Sequence, residues 1–192
     1  MIFLIVALVV LGYFIATYNK FQTLKTRIRA SIQEIGNQLK RQTELIPNLA
    51  ESTKGYLKHE KTIFDKLTKA RQIVTRAVSS GNAEEMIAAQ DVLQKALGSL
   101  RVVVESNPEI KGAGVVTKLM DELRDTSDKV MYSRRTMIDL TADFNRMIVT
   151  IPTNLVAKIA SFKKEKGLSV AEEGSHLEVG EKETSAPKVN LE

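Results

Sequence analysis

His59 and Glu60 stand side by side in the stretch RQTELIPNLAESTKGYLKHEK, Arg41 to Lys61, and have the side-chain types of a metal ligand and a general acid or base. On a helix, sequence neighbours project about 100° apart, so the pair does not make the i, i+4 arrangement that grips one ion. The only other histidine, His176, lies far toward the C-terminus. A di-metal site in a helical bundle asks for Glu-x-x-His on each of two helices, and two such pairs do not occur. The chain has no cysteine, which excludes thiolate nucleophiles, disulfides and zinc–thiolate sites. The serines and threonines do not occur in nucleophile-elbow or Ser-x-x-Lys contexts that support catalysis. KGAG, Lys111 to Gly114, is glycine-rich but lacks the Walker spacing, and reads as a flexible corner.

The residues therefore assign no catalytic, cofactor-binding or metal-binding side chain, and the chain reads as non-enzymatic. His59 and Glu60 belong instead to a corner with Pro47, Asn48 and Tyr56, and these five form the candidate interaction surface. Pro47 redirects the chain, Asn48 can satisfy a freed helix-terminal group, and Leu45, Ile46 and Leu49 pack beneath. The basic pairs Lys40–Arg41, Arg134–Arg135 and Lys163–Lys164 read as a solvated face. Nucleic acid would ask for a denser basic stripe with exposed aromatics, so it is not an expected partner.

Those residues need elements to position them. Of 192 residues, 43% are hydrophobic and 27% charged, a globular composition. Aromatics are only 5%, with no Trp and four prolines, which argues against a β-sandwich or barrel. IFLIVALVVLGYFIATY, Ile2 to Tyr18, has no charge, and its length of about seventeen residues is at the lower edge of a bilayer span. No basic region precedes it and no small-x-small cleavage site follows, so an uncleaved anchor is expected rather than a signal peptide. Tyr18 suits an aromatic anchor at the interface. Lys20, Lys25, Arg27 and Arg29 follow the span before any acid appears at Glu34. This bias puts the N-terminus outside and the rest in the cytoplasm, with the four cations placed to meet anionic headgroups.

Beyond the anchor, Phe21, Leu24, Ile28, Ile32, Ile35 and Leu39 recur at helical spacing. One helix is expected from the membrane to about Ile46, with Gly36 as a weak point. Pro47 then ends or kinks it. A kink is preferred and gives three long rods, one bent; a reversal gives four. Leu49, Tyr56, Ile63 and Ala70 continue as a heptad seam until SSGN, Ser79 to Asn82, where Asn82 and Glu85 can form a capping box. Met86, Ala89, Leu93, Ala96, Leu100 and Val103 mark the next helix. ESNPEIKGAG, Glu105 to Gly114, reads as the one substantial interior loop. A final long helix carries Val116, Leu119, Leu123, Val130, Met137, Leu140, Phe144, Met147 and Ile151, diluted by Thr126 and Ser133. After Pro152 a short amphipathic piece places Leu155, Ile159 and Phe162 on one side. The segments are thus an anchor at 1–18, an all-α antiparallel bundle at 19–163 and a polar, disordered tail at 164–192.

Three stretches resemble the LemA family: Tyr18 to Arg71 with its LIPNL and GYxxHE features, ESNPEIK at Glu105 to Lys111, and FNRMIVTIPTNLVAKIASFK at Phe144 to Lys163. The chain departs from the family's pattern at Asn107, where an aromatic is usual. It departs again at EKGLSVAEEG, in place of an aromatic-acidic ending, and in the long tail. The resemblance implies long antiparallel helices on a membrane anchor, facing the cytoplasm, and supplies no reaction. One branch of the family is associated with magnetosome formation, and no residue here points to that branch. The reading reached is a scaffold or interaction module with membrane lipids around its first helix, an unidentified protein partner and room for self-association. The alternative is a lipid-organising protein that binds anionic bilayers through its basic helix.

Overall fold

The apolar spacing that begins at Phe21 carries one helix well past Pro47. In the computed structural model, which describes residues 1–56 and 61–168, α1 runs unbroken from Ile2 to Lys54. At 1.5 Å per residue that is a rod of about 80 Å. Its N-terminal end is long and apolar enough to cross a membrane, with almost all of those side chains unburied. From Phe21 onward one stripe turns inward, through Leu24, Ile28, Ile35, Leu39, Ile46 and Leu49.

Pro47 removes the amide hydrogen that the Thr43 carbonyl would accept, a loss of about 3 kcal/mol in a helix interior. The helix nevertheless continues, because Ile46, Leu49 and Thr53 on the turns around the proline are buried against the bundle. The proline itself faces solvent. The alternative that the helix ends at Pro47 is corrected accordingly, since α1 continues to Lys54. Gly55 and Tyr56 form a turn after α1, and the described chain continues in helix from Lys61. Tyr56 is therefore an exposed turn residue rather than a member of the heptad seam.

Helix α2 (Lys61–Ser80) buries Ile63, Leu67, Ala70, Val74 and Ala77. It brings Val78 back beside Gly36 of α1, where a Cβ would lie 3.6 Å from Met86 Sδ and 4.0 Å from Val78 Cγ1. A Cβ there would make only ordinary van der Waals contact with these side chains. Gly81, with φ +69°, turns the chain. Asn82 then caps α3 (Ala83–Ser106) by accepting from the Glu84 and Glu85 amides. In place of a reciprocal bond from Glu85, the Asn82 amide donates to Ser80 Oγ at 3.2 Å.

The expected loop at Glu105 to Gly114 holds a short helix, α4 (Pro108–Gly112). Its N-cap is Asn107, whose side chain accepts from the Glu109 amide at 3.1 Å, with Pro108 at the first helical position. Helix α5 (Gly114–Val149) buries Val116, Leu123, Val130, Met137, Leu140 and Phe144, together with Thr126, Ser133 and Thr141. Ile151 lies beyond it, exposed, and does not belong to its stripe. After a cis Ile151–Pro152 bond comes α6 (Thr153–Ile159).

Phe21 meets Phe144 and Arg41 meets Glu122, so α1 and α5 run antiparallel. They share the longest seam, α2 packs chiefly on α3, and α1 joins both halves. The architecture is an all-α antiparallel bundle of four long helices.

Candidate interaction surfaces

The corner around Pro47 lies at the end of α1 away from its apolar segment. Pro47 and Asn48 lie exposed on α1, and Tyr56 is exposed just past its end. Leu45, Ile46 and Leu49 pack inward beneath the proline. The Asn48 side chain has no terminus to cap here, since the helix runs on for two further turns. His59 and Glu60 lie outside the described residues. One turn below, Arg41 Nε donates to Glu122 Oε1 at 3.1 Å and Nη2 donates to the same oxygen. The hydrogen bond to Glu122, and then its charge, raise the guanidinium pKa above its ordinary value.

A second surface was not anticipated. Among the described residues α3 and α5 share no close backbone seam. Between them runs a groove of about 470 Å³ whose lining includes Leu97, Gly98, Val104, Met120 and Met131. It is bridged at one point, where Gln90 and Gln94 both donate to Ser127 Oγ, Gln90 at 2.9 Å. The buried Gln90 Oε1 has no hydrogen-bond partner among the described residues. Arg101 and Glu105 pair along one rim, and Arg124 and Asp121 along the other. Gly98 lies inside α3 with nothing within 4 Å of where its Cβ would stand.

The third surface is the membrane-proximal end. Lys20, Arg27 and Arg29 are exposed there. Lys25 is half-buried and differs: its ammonium lies 3.5 Å from Glu165, so part of its charge faces a carboxylate. The described residues run past Lys163 to Leu168, beyond the expected start of the tail. Helix α6 closes in a Schellman arrangement, with Ser161 at φ 57°. Phe162 N donates to Ala157 O at 2.9 Å and Ser161 N to Lys158 O at 3.3 Å. That turn delivers Phe162 to an aromatic cluster, stacked 4.7 Å from Phe21 and 5.6 Å from Tyr18, with Phe144 edge-on to both phenylalanines. Asn145 next clamps the strap: its Nδ2 donates to Glu165 O at 3.0 Å and its Oδ1 accepts from Glu165 N at 2.9 Å. Adjacent Phe144 and Asn145 thus have separate tasks, one in the cluster and one on the strap. Within α6, Val156 and Ala157 face the bundle while Leu155 and Ile159 share the outward side; Phe162, expected on the same side, turns instead into the aromatic cluster. Residues beyond 168 lie outside the described residues.

Gly98 and the bridging glutamines were legible only in part. A glycine inside a helical run is a visible signal, but the identity of the helix across from it is not.

Residues 31–189 match the model of the LemA family. Among curated relatives, magnetosome protein MamQ of Magnetospirillum gryphiswaldense is 24% identical over an alignment covering 77% of this chain. The match spans 62% of that relative's own length.

Proposed function

Because the chain belongs to the LemA family, we propose that it is a membrane-anchored, non-enzymatic interaction module whose α3–α5 groove takes an amphipathic helix from a partner protein. The observation that carries this is Gly98. A glycine within a helix costs about 0.5–1 kcal/mol relative to alanine, and here the fold does not require one, since a Cβ would meet open space. What the missing side chain does is keep the groove open. Met120 and Met131 beside it are unbranched and conform to varied surfaces. An apolar floor between charged rims suits a helix laid lengthwise.

The bundle's side of the membrane follows from Lys20, Arg27 and Arg29 just beyond the span, which favour the cytoplasm. Protease digestion of sealed cells carrying a tag at Glu192 tests that side, with protection until permeabilisation as the expected result.

The groove is tested by photocrosslinking from Gln94, compared with exposed Lys69 on α2. An adduct of defined mass is expected from Gln94 and none from Lys69. Gly98→Leu, which fills the groove, should abolish the adduct while leaving helical content unchanged. Equal adducts from both positions, or an adduct that survives Gly98→Leu, would overturn the assignment.

A further inference from the structure

We propose that the elbow joining α5 to α6 is a second membrane contact, a wedge that seats in the bilayer beside the span of α1. Four large apolar side chains in this short stretch face outward: Val149 at 57% exposed, Ile151 at 82%, Leu155 at 59% and Ile159 at 71%. They are not the far side of an ordinary amphipathic helix. The inward face of α6 is already occupied by Val156 and Ala157, so α6 is apolar on both sides. In water such a face is a liability, and an exposed apolar patch of this kind marks an interaction site.

Its depth identifies the occupant. Phe144 lies against Phe21, and α5 runs antiparallel to α1. Val149, one turn and a half further on, therefore sits about 7.5 Å beyond that contact along the axis. That is the level of Thr17 and Ala16 on α1, within the apolar segment that ends at Tyr18. Phe162 closes the elbow by returning to Tyr18 and Phe21. The elbow thus begins at the level of Ala16 and Thr17 and returns at that of Tyr18 and Phe21, beside the last turns of the apolar segment. The apolar surface of the elbow is continuous in depth with the span itself, and a bilayer that surrounds one meets the other.

The flanking charges fit. Lys20, Lys158, Lys163 and Lys164 are exposed around the elbow. Their long stems can lie along apolar surface while the ammonium groups rise to the headgroups. Val156 and Ala157, small enough for close approach to the bundle, hold α6 so that Leu155 and Ile159 point at the lipid.

This inference rests on the span reading of α1, and the test separates the two. The chain has no cysteine, so single cysteines can be spin-labelled without a prior knockout. Leu155→Cys, Ile159→Cys, Leu8→Cys in the span and Val102→Cys on exposed α3 are made in the full chain. Each is reconstituted in phosphatidylcholine–phosphatidylglycerol vesicles. Collision with oxygen, which enters lipid, is compared with collision with a polar nickel chelate. The oxygen-to-nickel ratio at Leu155 and Ile159 should match Leu8 and exceed Val102 several-fold. A lipid reading at Leu8 with a Val102-like reading at both elbow positions would sink the wedge and leave the anchor intact. A watery reading at Leu8 as well would remove both. Shielding of the elbow from both reagents, with spectral broadening that fades on dilution with unlabelled protein, would put a second copy there and overturn the lipid assignment.

Discussion

Gln42 offers the sharpest test of the packing argument. It is fully buried, and neither its Nε2 nor its Oε1 has a hydrogen-bond partner among the described residues. Its position is a seam position: Ile35, Leu39, Ile46 and Leu49 flank it at steps of three and four, all buried. Burying an amide without a partner costs about 1–3 kcal/mol on the scale of protein substitutions. Methionine has nearly the same length and volume and no amide, and volume-conserving apolar exchanges cost less than about 1.5 kcal/mol. Gln42→Met should therefore raise stability by about 1–2 kcal/mol. For a chain of this size that is a rise of roughly 2–8 °C in melting temperature. Gln42→Ala separates the two contributions, because it removes the amide but also leaves a cavity, and should gain less than methionine or lose outright. The assay is helical circular dichroism at 222 nm during thermal and guanidinium unfolding of the full chain in detergent micelles. A clear fall in melting temperature for Gln42→Met would refute the reasoning. It would mean that the carboxamide is satisfied in solution and that the seam is built around that contact.

Two further outcomes follow from single contacts. Asn82→Ala removes the acceptor for the Glu84 and Glu85 amides and should cost about 1 kcal/mol. Asn82→Asp should keep most of the stability, both read by the same unfolding transitions. Asn145→Ala breaks both hydrogen bonds to Glu165, each contributing about 1 kcal/mol. It should speed amide exchange and tryptic cleavage at Lys163, Lys164 and Lys166 while leaving exchange within α2 and α3 unchanged.

Where the sequence was legible, the reason was period. Phe21 to Leu49 and Met86 to Leu100 announce their buried faces because a long helix samples its stripe many times, and an error of one residue cannot survive four turns. Asn82 was legible for a different reason, since a cap is a local device with a fixed offset to its donors. Pro47 misled as a candidate helix end because its penalty is local while the burial of Ile46, Leu49 and Thr53 that outweighs it is tertiary. The side that Leu155 and Ile159 share was legible, but seven residues are two turns, too short to tell which side faces the bundle. The α3–α5 groove lay further out of reach. A groove is a place where two helices distant in sequence fail to meet, and only Gly98 leaves a trace of it in the chain.

The continuity of α1 ties the two proposed surfaces together. The Phe21–Phe144 and Arg41–Glu122 contacts fix the register of α1 on α5. They place Ser127, where Gln90 and Gln94 bridge the groove, near the level of Gly36 to Leu39 on α1. That level is about twenty residues beyond Tyr18, so the groove stands roughly 30 Å above the membrane interface. A flexible tether would leave the height and direction of such a groove undefined. An unbroken helix defines its height but leaves the bundle free to tilt and to spin about the single span. A second contact off the helix axis removes both freedoms, and the α5–α6 elbow, strapped to α1 through Phe162 and Lys25, is in position to do so. Seating the elbow would point the groove in one direction at one height, which is what a module needs if it meets a partner held by the same membrane.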